Sequence, residues 1–312
     1  MSVGTNIKKR RYELRMSQQE LAEAMGYKTR STIAKIESGE NDVSQKKLQR
    51  VAAVLDTTPA ALISGLAPQK PAPPGQTIQD GIPQNRSIAI ILAGGKTGSG
   101  NIPSQFVSIH GKPVLVYTME VYQHHPSIDE IYVVCLKGWE NIVKAYARQY
   151  GIFKLKGLIL GGSSGVDSLK NAFDYLTDRC ADEDLILIQE ATRPMVTADT
   201  VSRLLFSCAE KGSATICHRM QEYVQFRMDG QRPQYVDRND MIALQSPEAH
   251  SAAKLREVFA RAKQLGHPLT ESCCTMLMYH LGYDINFVES PVNNIKIARE
   301  EDLAAFGAKV KT

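Results

Sequence analysis

The sequence predicts an α/β protein in three stretches: an all-α bundle over residues 1–65, a linker over 66–86, and a mostly parallel α/β/α domain over 87–312. Three observations lead there. Apolar residues in the first stretch recur at helical spacing, with no strand signal. The linker carries five of the chain's 14 prolines in 21 residues. After Ser87, short apolar runs alternate with amphipathic segments, the pattern of a parallel sheet covered by helices on both faces.

In the first stretch, about five short helices are expected over residues 6–64. Ser17-Gln18-Gln19-Glu20 is a capping-box pattern, in which the serine and glutamate side chains each take the other's amide. Leu21, Ala24 and Met25 give that helix an inner face, and Gly26 can end it. Ile33 and Ile36 mark the next helix. Ser44 opens another, carrying Leu48, Val51, Ala52 and Leu55, and Thr58-Pro59 supplies a cap and an N1 proline for the last. The string MSQQELAEAMGYKTRSTIAKIESGENDVSQKKLQRVAAVL resembles the phage-repressor type of helix-turn-helix domain. The resemblance implies double-stranded DNA as partner, with the helix from about Thr29 to Ser38 in the major groove. Thr29, Arg30, Ser31, Thr32 and Lys35 then face DNA, and Gln18 stands where such domains clamp a phosphate. The competing reading makes these polar residues the solvated side of a bundle that docks another protein.

The charge distribution agrees with an anionic partner. Residues 1–65 hold 11 Lys+Arg against 7 Asp+Glu, leaving 26 of each for the rest, so the formal net charge of +4 arises in the bundle. Six cysteines without a C-x-x-C spacing form neither a disulfide framework nor a zinc ribbon, and reduced core thiols are expected. The N-terminal residues have no apolar targeting core and no run reaches the length of a membrane span, which predicts a cytoplasmic protein without membrane attachment. Extended proline-rich chain reaches about 3.1 Å per residue, so the linker spans up to roughly 60 Å.

In the second domain, IAIILA, EIYVVCL, GLIL and DLILIQ read as strands, and 113–123, 141–150 and 166–176 as helices. Ligands on such sheets sit beyond the carboxyl ends of the strands. There the chain reads Ala93-Gly94-Gly95-Lys96-Thr97. This is no P-loop, because Ile90 stands where that motif requires glycine, and Gly98-Ser99-Gly100 does not continue into a dinucleotide fingerprint. A strand followed by glycines whose amides can approach an anion remains. Similar strand-end segments follow at Gly161-Gly162-Ser163-Ser164-Gly165-Val166-Asp167-Ser168 and at Gln189-Glu190-Ala191-Thr192-Arg193-Pro194, with Asn293-Asn294-Ile295-Lys296 near the end.

Together these segments resemble the cytidylyltransferases that join CTP to methylerythritol 4-phosphate in isoprenoid synthesis, and the similar ribitol-5-phosphate enzymes. The resemblance covers residues 87–308 and implies a Rossmann-like nucleotidyltransferase fold with a β-arm, matched by the stretch from about Arg219 to Ala243. It implies a homodimer through that arm. Ala93, Gly94, Gly95, Gln105, Phe106, Gly161, Gly162, Asp167 and Ser168 match the nucleotide-binding positions. Glu190 matches the metal position, for Mg2+, and Arg193, Arg238 and Lys296 match the acceptor-phosphate positions. Lys296 and Arg193 are the catalytic candidates, with Lys96 in the glycine loop. In the implied reaction an acceptor phosphate oxygen attacks the α-phosphorus of CTP and pyrophosphate leaves, so cations and magnesium must offset growing negative charge.

The chain departs from the family pattern at that charge. The first loop is two residues shorter and has no arginine, Ser104 replaces a lysine, Gly165 replaces an arginine, Glu190 stands for aspartate, and Glu222 falls near an expected threonine. Each lost electrostatic stabiliser typically costs about 10² to 10³ in rate. Two readings follow. The losses favour a DNA-binding transcriptional regulator whose second domain is a degenerate cytidylyltransferase that still binds a nucleotide or polyol phosphate. The retained Lys296, Arg193 and Arg238 favour an active cytidylyltransferase carrying an accessory helix-turn-helix.

Overall fold

The computed structural model describes residues 3–14, 16–27, 29–40, 43, 45–55, 57, 62, 85–95, 102–220, 224–228, 232–291 and 293–310. The chain divides into two compact units, 1–80 and 81–312.

The first unit packs helices α1 (Val3–Glu13), α2 (Gln18–Ala24), α3 (Ser31–Ser38) and α4 (Gln45–Val54) around Ile7, Leu21, Met25, Ile33, Ile36, Val51 and Leu55. The capping box forms: the Ser17 amide donates to Glu20 Oε2 at 2.6 Å and the Glu20 amide to Ser17 Oγ at 3.2 Å. Gly26 and Gly39 adopt positive φ, as the ends of α2 and α3 require. One expectation is corrected, because Ala22 is buried in α2 whereas Ala24 is exposed. The inner stripe runs i, i+1, i+4 from Leu21, and position i+3 turns to solvent. The groove helix starts at Ser31, two residues later than expected. Ser44 and the Thr58-Pro59 helix start lie outside the described residues.

In the second unit, seven strands pair in the order β11-β7-β10-β6-β1-β4-β5. They are β1 (Ser87–Ala93), β4 (Glu130–Cys135), β5 (Leu155–Leu160), β6 (Leu185–Glu190), β7 (Ser213–Arg219), β10 (Ile242–Ser251) and β11 (Phe287–Glu289). All neighbouring pairs are parallel except those made by β10 with β6 and β7. Two small ribbons lie apart, β2 (Ser108–Ile109) with β3 (Lys112–Pro113), and β8 (Gln225–Arg227) with β9 (Gln234–Val236), which is the expected arm.

Alternation along β1 builds two cores. Ala89 and Ile91 pack with α5 (Val114–His124), α6 (Glu140–Gln149) and α8 (Ala198–Lys211). Ile88 and Ile90 pack with α7 (Gly165–Leu176), α9 (Ala252–Leu265) and α10 (Cys274–His280). A last helix, α11 (Glu300–Lys309), seats Phe306 against Val114 and Ile297. The sheet therefore holds the ends of β1, β4, β5 and β6 side by side with both faces covered. All six cysteines are free, and burial pushes the Cys208 thiol up to about 12. Among the described residues no helix is long and apolar enough to cross a membrane.

Candidate active site

Two glycine turns meet over the end of β4. A Cβ added to either Gly94 or Gly161 would lie 3.5 Å from the Cα of the other, and the Gly161 amide donates to the Cys135 carbonyl. Either Cβ would sit in ordinary van der Waals contact with the other turn, so the two turns lie packed together. Gln105, buried in the short 104–106 turn, donates from Nε2 to the carbonyls of Ala93 and Gly95, both at 2.8 Å. It shapes the first turn from behind. Phe106 stacks on Trp139 with ring centroids 4.1 Å apart.

The second turn is braced from within. Asp167 Oδ2 accepts the Ser163 amide at 2.7 Å and the Ser163 hydroxyl at 2.8 Å, and those bonds hold its carboxyl below the usual aspartate range. Ser168 Oγ accepts the Gly162 amide, and Ser164 caps α7 through the Asp167 amide. Asp167 and Ser168, expected at the nucleotide, thus hold the loop in shape. A Cβ at Gly165 would meet the Ser272 carbonyl oxygen at 1.9 Å, because the 269–272 segment lies against the start of α7. The position that carries arginine in the resembling family is here closed to any side chain.

The charged centre lies at the end of β6. Arg193 Nε donates to Glu190 Oε2 at 2.6 Å, and Lys296 Nζ bonds Glu190 Oε1. Arg193 is fixed further by the Asn294 carbonyl at 2.9 Å, and Asn294 Nδ2 in turn reaches the Ser246 carbonyl. Ser246 Oγ accepts the Glu190 amide at 3.0 Å. Burial opposes ionisation of Glu190, yet Arg193 and Lys296 outweigh it and hold the carboxyl below its ordinary 4.5. One carboxylate between two cations leaves one net positive charge beside a cavity of about 350 Å³ lined by Glu190, Arg193, Lys296, Ser246, Cys273 and Met276, among others. Glu248 also borders it as a second carboxylate, kept ionised against its burial by the Cys274 and Thr275 amides at the start of α10, so the four charged side chains of the lining balance.

The structure therefore gathers Glu190, Arg193 and Lys296 in one cavity and sets the glycine turns on the neighbouring strand ends. Arg238 stands apart from the cavity lining, exposed in the 238–240 turn between the arm and β10. Lys96 and Glu222 lie outside the described residues, and Ser104 is buried. In the bundle, Thr29, Arg30, Ser31 and Lys35 are exposed and Thr32 partly so, while Gln18 donates to Glu37 at 2.8 Å. Sequence reasoning missed Ser246 and Ser272. The first sits at a bulge of β10, between Leu244 and Glu248, where the pairing register shifts, and no local pattern announces it. Glu190 is the carboxylate that could hold a magnesium ion bound mainly by substrate phosphates, and to do so it would exchange an ion pair with Arg193 or Lys296 for the metal.

Residues 87–311 match the model of the 2-C-methyl-D-erythritol 4-phosphate cytidylyltransferase family. The chain belongs to that family. A helix-turn-helix model matches residues 7–62, so the cytidylyltransferase domain is fused to an N-terminal helix-turn-helix domain. A ribitol-5-phosphate cytidylyltransferase of Lacticaseibacillus paracasei is 33% identical over 227 residues, 72% of this chain and 97% of its own. A 2-C-methyl-D-erythritol 4-phosphate cytidylyltransferase of Petrotoga mobilis is 26% identical over 216 residues, covering 69% and 93%. Among solved structures, the 4-diphosphocytidyl-2C-methyl-D-erythritol synthase of Anaerococcus prevotii superposes with a TM-score of 0.62 at 19% identity, over 73% of this chain and 100% of that one, a likeness of fold.

Proposed function

We propose that the second domain transfers a cytidylyl group from CTP to a polyol phosphate, ribitol 5-phosphate being the leading acceptor, while the first domain tethers the enzyme to double-stranded DNA. The acceptor phosphate oxygen bonds to the α-phosphorus, the bond to the β-phosphate oxygen breaks, and pyrophosphate leaves. The observation that carries this reading is the Lys296–Glu190–Arg193 group, two cations gathered at the strand ends where charge must be neutralised. In the free protein Glu190 occupies both cations. Lys296 and Arg193 would offer their charge to the incoming phosphates, and Glu190 would hold magnesium, which would supply charge neutralisation to the leaving group. The acceptor choice is supported by the name of the Lacticaseibacillus relative.

The regulator reading keeps two specific supports, the absence of a side chain at Gly165 and of a cation at Ser104. Pyrophosphate release from CTP and magnesium, assayed with ribitol 5-phosphate and methylerythritol 4-phosphate, separates the two. Release that falls about 10² to 10³ in Lys296→Ala is the expected result. Absence of release, with CTP still raising the melting temperature, would replace the enzyme with a nucleotide-sensing DNA-binding protein.

A further inference from the structure

Between α9 and α10 lies a cluster that cytidylyl transfer does not use. We propose that His267, Glu271 and His280 bind a divalent transition-metal ion, with zinc the best chemical fit. One ligand atom from each lies within 4.8 Å of the others. Glu271 Oε1 is 3.3 Å from His280 Nδ1 and 3.5 Å from His267 Nδ1, and the two imidazole rings stack with centroids 5.9 Å apart. The chain builds this convergence locally: Gly266 ends α9 in a left-handed turn, placing His267 at the head of the segment, and His280 closes α10. The Pro268 carbonyl oxygen lies 2.9 Å from His267 Nδ1, a hydrogen bond that a metal bound at that nitrogen would replace.

An independent observation points to a cation. The Glu271 side chain is only 7% exposed, and its Oε2 is buried with no hydrogen-bond donor among the described residues. A carboxylate oxygen taken from water without a partner is costly, and a bound cation offsets that cost. Two imidazoles and one carboxylate form a donor set suited to zinc with one further position for water, whereas magnesium and calcium prefer all-oxygen sites.

The site bears on the loop it backs. The Glu271 carbonyl accepts the Val166 amide at 3.1 Å, and the Leu269 carbonyl accepts the Ser164 hydroxyl at 2.6 Å. A metal on Glu271 thus fastens the 267–272 segment against the start of α7 and the second glycine turn. Its role is to brace the loop, and it stands whether or not the domain transfers cytidylyl groups.

The test uses the full chain without an affinity tag, stripped with chelator and titrated with Zn2+, and with Co2+ as a visible-absorbing substitute. The expected result is one equivalent bound, a cobalt spectrum of nitrogen and oxygen ligation, and a higher melting temperature with metal. His280→Ala, at a half-exposed position, and Glu271→Gln should each weaken binding at least about 10-fold, while His124→Ala on α5 should leave it unchanged. Circular dichroism checks that each variant is folded, and His280→Ala decides if Glu271→Gln is not. No binding by the wild type, or binding that His280→Ala leaves unaltered, would overturn the site.

Discussion

Glu190 concentrates the site's electrostatics in one side chain. Its carboxyl is held below 4.5 in the folded protein, so the stability it adds is complete above that value and is lost as pH falls through the folded value. Glu190→Gln should therefore destabilise the protein by an amount that is constant between about pH 6 and 8 and shrinks in acid, read as the difference in urea midpoints across pH. An unchanging difference down to the acid limit would mean the ion pairs contribute nothing. Gly165 makes the opposite case, a functional side chain that the structure excludes. With the Ser272 carbonyl oxygen standing where a side chain would begin, Gly165→Arg should cost about 1 to 3 kcal/mol through overpacking and fail to raise transferase activity. A stable, faster variant would show that the 269–272 segment yields easily. The charged triad was legible because Glu190, Arg193 and Lys296 each sit in a segment with a recognisable order of residues. Ser272 was not, since its effect is a backbone oxygen arriving from a segment more than 100 positions away, and backbone approach leaves no mark on residue type.

At the scale of elements, the bundle depends on a buried ion pair that no spacing rule reveals. Arg11 on α1 grips Glu37 on α3 through Nε at 2.7 Å and Nη2 at 3.0 Å, with both side chains almost fully buried. Glu37 also accepts Gln18 from α2, so one carboxylate ties three helices together. Gly4 allows this approach, since a Cβ there would meet the Ile36 carbonyl oxygen at 2.2 Å. Truncating one member of a buried pair leaves the other charge stranded, so Glu37→Ala should cost about 3 to 5 kcal/mol in the helix-turn-helix unit. Limited proteolysis and thermal melting should then show that unit opening first, with the cytidylyltransferase unit intact. Equal protection of both units in the variant would refute the role. The strands and helices read between residues 88 and 189 agree with the structure to within two residues, because β–α alternation is local, whereas the helices and strands after Glu190 were not assigned. The placement of β10 against β6 and β7, running opposite to both, was not legible, because antiparallel insertion into a parallel sheet is a long-range choice.

For the whole molecule, the arm gathers a cluster of exposed apolar side chains. Val224, Phe226, Met228 and Tyr235 are each more than half exposed on and beside the two-stranded ribbon β8–β9, and Phe226 and Tyr235 lie edge to face at 6.2 Å. An isolated two-stranded ribbon is marginal in water, and a cluster of exposed apolar side chains on one marks a surface that another chain covers. A second copy of the chain would cover it by two-fold symmetry, each arm lying on the other protomer. Sedimentation equilibrium should give twice the 34.5 kDa of the chain, and Phe226→Ser with Met228→Ser should shift it to the monomer. Dimerisation also bears on DNA. Two helix-turn-helix units joined through such a dimer would read half-sites about 34 Å apart, and the second contact would form at the effective concentration set by the tethers. The monomeric double variant should therefore lose about 10²-fold or more in affinity for a two-site duplex while its affinity for a single half-site stays the same. Equal loss on both duplexes would mean that the arm variants damage the DNA-binding unit itself, and a wild-type monomer at micromolar concentration would end the dimer model and its consequence for DNA together.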